Sequence, residues 1–371
     1  MRGFKGYGLV LFRVNRNRSG PGEKRLSGVA NASLGFYTVW VAHLGRRYGI
    51  LPALSRRKRP EGTRAISAEC GLHEPAVRVW CEAAHSLGLV VRTGDAYRLP
   101  ADRRRLLAEA DDARFLGGQF SYLALRSLDF GAFDAFFRRG RKTSSGTRHL
   151  REASEEATRW DHTSFLRFLL PRVPGLTSRL REGARALDVG CGTGGWALRM
   201  ARAFPRSSFT GIDPDRTAIQ IASGKVEGGD RRVRFLVGRR GGPMRESGPF
   251  DLAYLGEVLY GVNDKVRLLR NVRRSLASDG VLVLAEGLVA PPRKRADPGA
   301  QLVAAMGLDF ALQGARFFEK LELAAILRQA GFRRLTFHDA GGGLWFVVAT
   351  TGPKRSGSER SGAARRPRGD R

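Results

Sequence analysis

The sequence has few cysteines, no long apolar run and no secretory signal. Its three cysteines include no CxxC pair, so neither a zinc ribbon nor a disulfide framework is indicated. No stretch reaches 18 uncharged apolar residues, which is the length that a membrane-spanning helix needs. The N-terminal apolar stretch is interrupted by lysine and glycines and is followed by arginines, unlike a signal peptide. We therefore expect a cytoplasmic protein with no membrane partner and no bound metal.

Acidic residues are also scarce relative to basic ones. The chain has 65 Lys and Arg against 35 Asp and Glu, a formal net charge of +30, and only nine of the basic residues are lysine. Such arginine bias can arise from GC-rich coding without any selected partner. Residues 1–28 and 352–371 carry +11 of this charge, and their lack of apolar periodicity predicts two disordered basic tails. We prefer diffuse solvated charge over a polyanion-binding surface, and a nucleic-acid partner is not favoured.

Residues 29–101 follow the element order of a winged-helix domain. Apolar residues at helical spacing begin at Ala32 and stop near Pro52, which predicts a first helix. A second helix is predicted from about residue 74 to 87, and Gly94 and Asp95 mark the turn of a hairpin.

Residues 102–180 are predicted to be a wholly helical connector. Aromatic residues recur between Phe115 and Phe137, a pattern typical of a core or a dimer interface. Some of them could instead cover an apolar ligand. We therefore expect this region to contribute to a substrate pocket.

From residue 181 to 351 the pattern alternates between strand and helix, which predicts a mostly parallel sheet. A glycine-rich turn, Gly190 to Gly195, joins the short strand Ala186–Val189 to the helix Trp196–Phe204. Glycine permits a tight turn and close approach of a ligand to the backbone. The next strand ends at Asp213, where a carboxylate can accept hydrogen bonds from ribose hydroxyls.

The same glycines also satisfy the GxGxxG pattern of dinucleotide-binding proteins, which is weak evidence when it stands alone. Asp188 at the end of the first strand is placed to meet a cationic or amino-bearing ligand. Another buried strand begins at Phe250, and a further one leads to Glu286. These features favour methyl transfer over nicotinamide chemistry.

Four segments, DVGCGTG, GIDP, FDLAYLGEVLY and LLRNVRRSLASDGVLVLAE, together resemble the successive motifs of class I S-adenosylmethionine-dependent methyltransferases. The resemblance covers about residues 30–351. It implies an α/β fold: a seven-stranded Rossmann-like methyltransferase sheet with an N-terminal winged-helix domain and a helical connector. The winged-helix start is similar to that of small-molecule O-methyltransferases, which implies S-adenosylmethionine as cofactor, a small-molecule methyl acceptor and a homodimer.

The resemblance also implies which residues would bind the cofactor. The strand end and its glycines would line the methionine moiety, Asp213 would meet the ribose, and the end of the fourth strand would flank the sulfonium. The full expected set is Asp188, Gly190, Cys191, Gly192, Gly194, Asp213, Gly238, Leu255, Gly256 and Glu257. In one departure from the family, Gly238 is followed by Arg239 and not by the acidic residue that usually bonds the adenine amino group.

No catalytic base can be assigned from the sequence, and alignment of the reactants is expected to supply most of the rate. Tyr260 occupies the position of the histidine base of plant-type O-methyltransferases, but a phenol with a pKa near 10 is a poor base at neutral pH. His162 either follows a helix-capping Asp161 as an exposed or satisfied histidine or projects into the acceptor pocket. Glu286 either lines the pocket or is a plain loop charge.

The preferred hypothesis is a methyltransferase that acts on an unidentified small molecule. The alternative is a winged-helix DNA-binding regulator with a ligand-sensing or degenerate methyltransferase domain. The basic loop Arg56–Arg59 and the missing adenine carboxylate motivate that alternative. Against it, the expected recognition helix is largely apolar, whereas major-groove readers usually present several polar or basic side chains.

Overall fold

The computed structural model describes residues 21–112, 114–143, 147–238, 248–289 and 297–351, with the backbone alone for residues 21–30. The expected tails 1–28 and 352–371 therefore lie largely outside the described residues. No helix among those described has the length and apolar content that crossing a membrane requires.

The N-terminal part contains four helices and a small antiparallel sheet of order β1-β3-β2. Its elements are α1 (Pro21–Arg47), α2 (Ile50–Arg56), β1 (Glu61–Gly62), α3 (Thr63–Cys70), α4 (Glu74–Ser86), β2 (Val91–Thr93) and β3 (Ala96–Arg98). This is the element order that the sequence predicts for a winged helix, and the hairpin turns at Gly94 as expected.

Two boundaries at the N-terminus differ from the prediction. Helix α1 begins at Pro21, so residues 21–28 are helical and the expected disordered tail is too long. The first helix ends before Gly49, whose φ of 77° lies in the left-handed region that stops a helix. Pro52 instead lies in the first turn of α2, where its missing N–H has no intrahelical acceptor to lose.

The connector is helical, as the sequence predicts. It comprises α5 (Ala101–Leu107), α6 (Gly117–Ser127), α7 (Phe133–Arg139), α8 (Arg148–Ser164) and α9 (Leu176–Glu182). Helices α6 and α8 pack so closely that a Cβ on Gly118 would lie 2.0 Å from the backbone oxygen of Glu156. Only glycine fits at this position. Arg46 at the end of α1 donates to the carbonyl of Leu107 and pairs with Glu156, so the connector is joined to the N-terminal helices.

The C-terminal part is a seven-stranded sheet of order β6-β5-β4-β7-β8-β10-β9, and the predicted fold class is confirmed. Its strands are β4 (Arg185–Val189), β5 (Ser208–Asp213), β6 (Val233–Val237), β7 (Phe250–Gly256), β8 (Leu276–Gly287), β9 (Arg334–Gly341) and β10 (Leu344–Thr350). Its helices are α10 (Gly195–Ala203), α11 (Arg216–Gly224), α12 (Lys265–Ser275), α13 (Pro298–Leu312) and α14 (Lys320–Gln329). Strands β4 to β8 pair in parallel, and β10 runs antiparallel to both of its neighbours.

The central strands are apolar because both of their faces are covered. Trp196 of α10 and Phe165 after α8 pack on one face, and Leu269 of α12 and Leu327 of α14 pack on the other. The chain leaves β4 toward β5 on one side, while β7 pairs with the other side of β4. Such a reversal of strand order opens a crevice at the carboxyl ends of the strands, where ligands of open α/β sheets bind.

Candidate active site

A cavity of about 770 Å³ lies at this carboxyl edge, between the sheet and the helices α6, α8 and α13. The turn from Gly190 to Gly195 forms one part of its wall, and aromatic residues form another. The aromatic part includes Tyr122, Trp160, Tyr260, Phe310 and Phe317. A cavity of this size with a few polar groups is typical of small-molecule sites.

Three glycines of the turn adopt positive φ angles: 72° at Gly190, 52° at Gly192 and 83° at Gly194. A Cβ on Gly190 would lie 2.6 Å from Val258, and one on Gly194 would lie 2.5 Å from the ring of Phe235. Nothing lies within 4 Å of the corresponding position at Gly192. Gly190 and Gly194 are thus required for packing, whereas Gly192 leaves bare backbone beside the cavity.

Asp213 braces this turn. Its carboxylate accepts the N–H of Gly192 at 2.9 Å and the N–H of Asp215 at 2.8 Å. A carboxylate has about four acceptor positions, so this bracing is compatible with hydrogen bonds to a ligand as well.

Asp188 lies at the end of β4 and is only 3% exposed. The N–H of Ala197 donates to its carboxylate, but among the described residues its Oδ2 has no hydrogen-bond partner. Burial, and then the nearby charge of Asp213, raise the pKa of Asp188 to about 8. A buried acceptor without a partner is costly unless a ligand satisfies it, so this end of the cavity fits the ammonium of an amino-acid group.

Glu257 and Tyr260 belong to the aromatic part of the cavity wall. The Tyr260 hydroxyl donates to Oε2 of Glu257 at 2.8 Å, and its ring packs edge-on against Phe310 with centroids 4.7 Å apart. Burial raises the pKa of Glu257 to about 7 and raises that of Tyr260 well above its usual value. Tyr260 is therefore a neutral hydrogen-bonding wall residue.

His162 lines the cavity and is 9% exposed. Of the two alternatives for it, this position fits a histidine that projects toward the pocket and not an exposed one. Its Cε1 lies 3.1 Å from the Cβ position of Gly195. Burial, followed by the charges of Arg199 and Arg159, lowers its pKa to about 3, which keeps the imidazole neutral. Asp161 is not the expected helix cap, because it lies inside α8.

Glu286 has neither of the two roles expected for it. Its side chain is fully buried and is not part of the cavity wall. Its Oε1 accepts the N–H groups of Val258 at 3.2 Å and Leu259 at 2.9 Å. Glu286 therefore holds the turn that carries Glu257 and Tyr260.

Of the ten expected cofactor-binding residues, seven line the cavity: Asp188, Gly190, Cys191, Gly192, Asp213, Gly256 and Glu257. Gly194, Gly238 and Leu255 do not. Leu255 points into the core on the other face of the sheet, and a Cβ on Gly238 would lie 2.3 Å from Ile212. Arg239 stands where the family usually has the acidic residue that bonds the adenine amino group, and it lies outside the described residues.

Several polar residues of the wall are not predicted from the sequence. Thr193 donates to Glu155 of α8 at 2.8 Å, and Tyr254 places a buried hydroxyl without a hydrogen-bond partner among the described residues. Asp161 is 6% exposed and belongs to the wall. The only sequence signal for it is an acidic residue between Trp160 and the phenylalanines that follow α8.

Comparisons with known proteins agree with this geometry. Residues 159–336 match the family model described as a methyltransferase domain. The chain is 33% identical to the demethylmenaquinone methyltransferase of Bacillus velezensis, over 29% of this chain and 47% of that protein. It is 30% identical to the malonyl-[acyl-carrier protein] O-methyltransferase of Geobacter sulfurreducens, over 43% and 59%. The alignments thus span about half the length of these relatives.

Over a much larger part of the chain, the fold is similar to that of human N-acetylserotonin methyltransferase in complex with S-adenosylmethionine. The TM-score is 0.68 at 19% identity, and the match covers 91% of this chain and 99% of that structure. Residues 159–336 are thus similar to a methyltransferase domain, and the motifs, the strand order and the cavity beside the glycine turn support a class I S-adenosylmethionine-dependent methyltransferase.

Proposed function

We propose that this chain transfers a methyl group from S-adenosylmethionine to a small-molecule acceptor held in the cavity. The observation that carries the proposal is the combination of two kinds of lining in one cavity. Asp188, whose buried Oδ2 has no partner among the described residues, and the bare backbone of Gly192 lie in the same wall as the aromatic residues around Glu257 and Tyr260. The relatives and the structural neighbour are all named methyltransferases.

In this proposal the cofactor supplies an electrophilic methyl group on a sulfonium, and the protein supplies position. Asp188 holds the ammonium, Gly192 allows close approach, and Asp213 accepts hydrogen bonds from the ribose. Helices α6, α8 and α13 contribute side chains to the cavity wall. Holding two reactants in line provides much of the acceleration of such a transfer.

The residues that face the acceptor set its orientation. Tyr260 and Glu257 form a hydrogen-bonded pair in the wall, and Glu286 positions their turn through two backbone N–H groups. His162 acts as a neutral wall residue on the side of the glycine turn. No residue of the chain has to serve as a strong base for an acceptor that is itself a good nucleophile.

We further propose a cytoplasmic homodimer that uses the exposed apolar side chains of α1, including Leu34, Phe36 and Tyr37. The winged-helix part then contributes to assembly. DNA reading is not favoured, because Arg78 on α4 is engaged by Glu74 of the same helix at 2.7 Å and leaves few polar groups for base edges.

Titration calorimetry of the full chain with S-adenosylhomocysteine tests the proposed function. We expect saturable binding, and we expect Asp188→Asn to weaken it by about tenfold, since the substitution removes one charge-assisted hydrogen bond. Asp134→Asn, in an exposed ion pair outside the cavity, is the matched control and should bind as the unaltered chain does. Absence of binding at millimolar ligand would refute the proposal.

A further inference from the structure

The cavity wall contains more carboxylates than its cations can balance. Glu155 pairs with Lys225 at 2.7 Å, and Asp215 pairs with Arg151 at 3.1 Å. Asp161, Asp188 and Glu257 also line the cavity, but none of them forms an ion pair with any described residue. A buried carboxylate without a cation is unfavourable unless a ligand compensates it.

Asp161 is the clearest case. Its side chain faces the cavity, is 6% exposed, and accepts no hydrogen bond from the residues that the structure describes. Burial and the nearby Glu257 raise its pKa well above the ordinary value. Buried polar groups are normally satisfied, so an acceptor left open at a cavity surface points to a ligand donor.

Glu257 is held toward the same space by its backbone. Its φ of 58° is unusual for a residue with a side chain. Its N–H donates to the carbonyl of Ala285 at 2.8 Å, and its carboxylate accepts the Tyr260 hydroxyl and the backbone N–H of Gly287. The positive φ of Glu257 is therefore maintained by hydrogen bonds of both its backbone and its side chain.

The proposed cofactor does not balance these charges. Its sulfonium and ammonium are offset by one carboxylate, so it brings a net charge of +1, and Asp188 is placed for the ammonium. Asp161 and Glu257 remain, and both also raise the pKa of the buried Glu286, after the larger effect of its burial. Among the described residues, no three acidic, histidine or cysteine side chains are grouped so as to hold a metal ion.

The adjacent wall is also suited to a cation on an apolar body. Phe310 and Phe317 lie with ring centroids 4.1 Å apart, and Tyr260 packs against both. Aromatic faces attract cations and accommodate rings or alkyl groups.

From this arrangement we infer that the methyl acceptor carries a basic nitrogen on an aromatic or apolar body, and that Asp161 and Glu257 bind the protonated nitrogen. This inference rests on the proposed function. It names the substrate class of the acceptor part of the same cavity and leaves the methylated atom open.

The test uses the full chain saturated with S-adenosylhomocysteine, so that the cofactor part of the cavity is filled. Binding of benzylamine, benzyl alcohol and benzoate, three probes that differ mainly in charge, is compared by ligand-observed NMR titration. We expect benzylamine to bind about tenfold or more tightly than benzyl alcohol, because a buried carboxylate pair favours a cation. Benzoate should show no binding.

Asp161→Asn and Glu257→Gln keep the shape of each side chain and remove its charge, and each should abolish the preference for benzylamine. Glu152→Gln is the matched control, because Glu152 lies on the same helix but pairs with Arg47 outside this cavity. Retained binding of S-adenosylhomocysteine shows that each variant is folded.

Equal binding of the amine and the alcohol would overturn the inference, and so would amide variants that still prefer the amine. Failure of the proposed function would differ from both outcomes, since the unaltered chain would then not bind S-adenosylhomocysteine at the first step.

Discussion

At the scale of single residues, the glycines of the turn are needed for two different reasons, packing and ligand binding, which the sequence motif does not distinguish. Gly190 is required because Val258 occupies the space where a side chain would lie. Gly192 has open space instead, so its importance depends on a ligand. Both have positive φ angles, which a side chain disfavours to a similar extent.

This difference predicts unequal effects of alanine at the two positions. Gly190→Ala should lower the free energy of unfolding by about 2 to 4 kcal/mol, because backbone strain and a clash add together. Gly192→Ala should cost about 1 kcal/mol of stability, yet weaken S-adenosylhomocysteine binding. Urea denaturation and calorimetry measure the two effects. Equal destabilisation by both variants would contradict the packing explanation.

At the scale of secondary structure elements, one buried cluster fixes the connector to the methyltransferase domain. Arg126 of α6 is 1% exposed, and its Nε lies 3.0 Å from both carboxylate oxygens of Asp309 on α13. Tyr122 donates to the same carboxylate at 2.9 Å. Because α6 and α13 both border the cavity, this cluster holds the aromatic wall in place.

Removal of one charge of the cluster should therefore be costly. We expect Arg126→Met to lower the free energy of unfolding by about 3 kcal/mol, because Asp309 would remain buried without its cation. The double variant with Asp309→Leu should lose less than the sum of the two single losses. Arg138→Met removes an exposed ion pair and should change stability by less than about 1 kcal/mol. Additive losses in urea denaturation would argue against the cluster acting as a unit.

At the scale of the whole molecule, the ligand-free fold buries four carboxyl groups at one edge of the sheet. Asp188, Asp161, Glu257 and Glu286 all have pKa values above their ordinary ones, in each case chiefly because of burial. The folded chain therefore binds more protons than the unfolded chain at neutral pH.

This proton uptake predicts that stability falls as pH rises. For Asp188 the window runs from the ordinary value of 3.8 to the folded value of about 8. The folded state is protonated there while the unfolded state is ionised, so the slope of the free energy of unfolding is negative. Denaturation at several pH values should show a loss of roughly 2 kcal/mol or more across the window. Asp188→Asn, compared with the unaltered chain, should flatten the profile, and an unchanged slope in that variant would contradict the assignment.

The sequence by itself determined the sheet, the glycine turn and the class of domain. These depend on local signals: buried apolar runs, glycines between a strand and a helix, and acidic residues at strand ends. Local signals do not fix every boundary, so the helix boundaries at Pro21 and Gly49 differ from the prediction. Proline is tolerated in the first turn of a helix, and a glycine is a weak indicator of where a helix ends.

Only the tertiary structure decided which polar residues face the ligand space. His162 and Asp161 enter the cavity wall because α8 packs over the glycine turn, and Glu286 leaves it because two backbone N–H groups draw its carboxylate beneath the next turn. Gly194 and Leu255 belong to the motif segments, but Gly194 packs against Phe235 and Leu255 is part of the hydrophobic core. The burial and the protonation of a side chain depend on elements that are distant in sequence, and the local sequence pattern carries no information about how those elements pack.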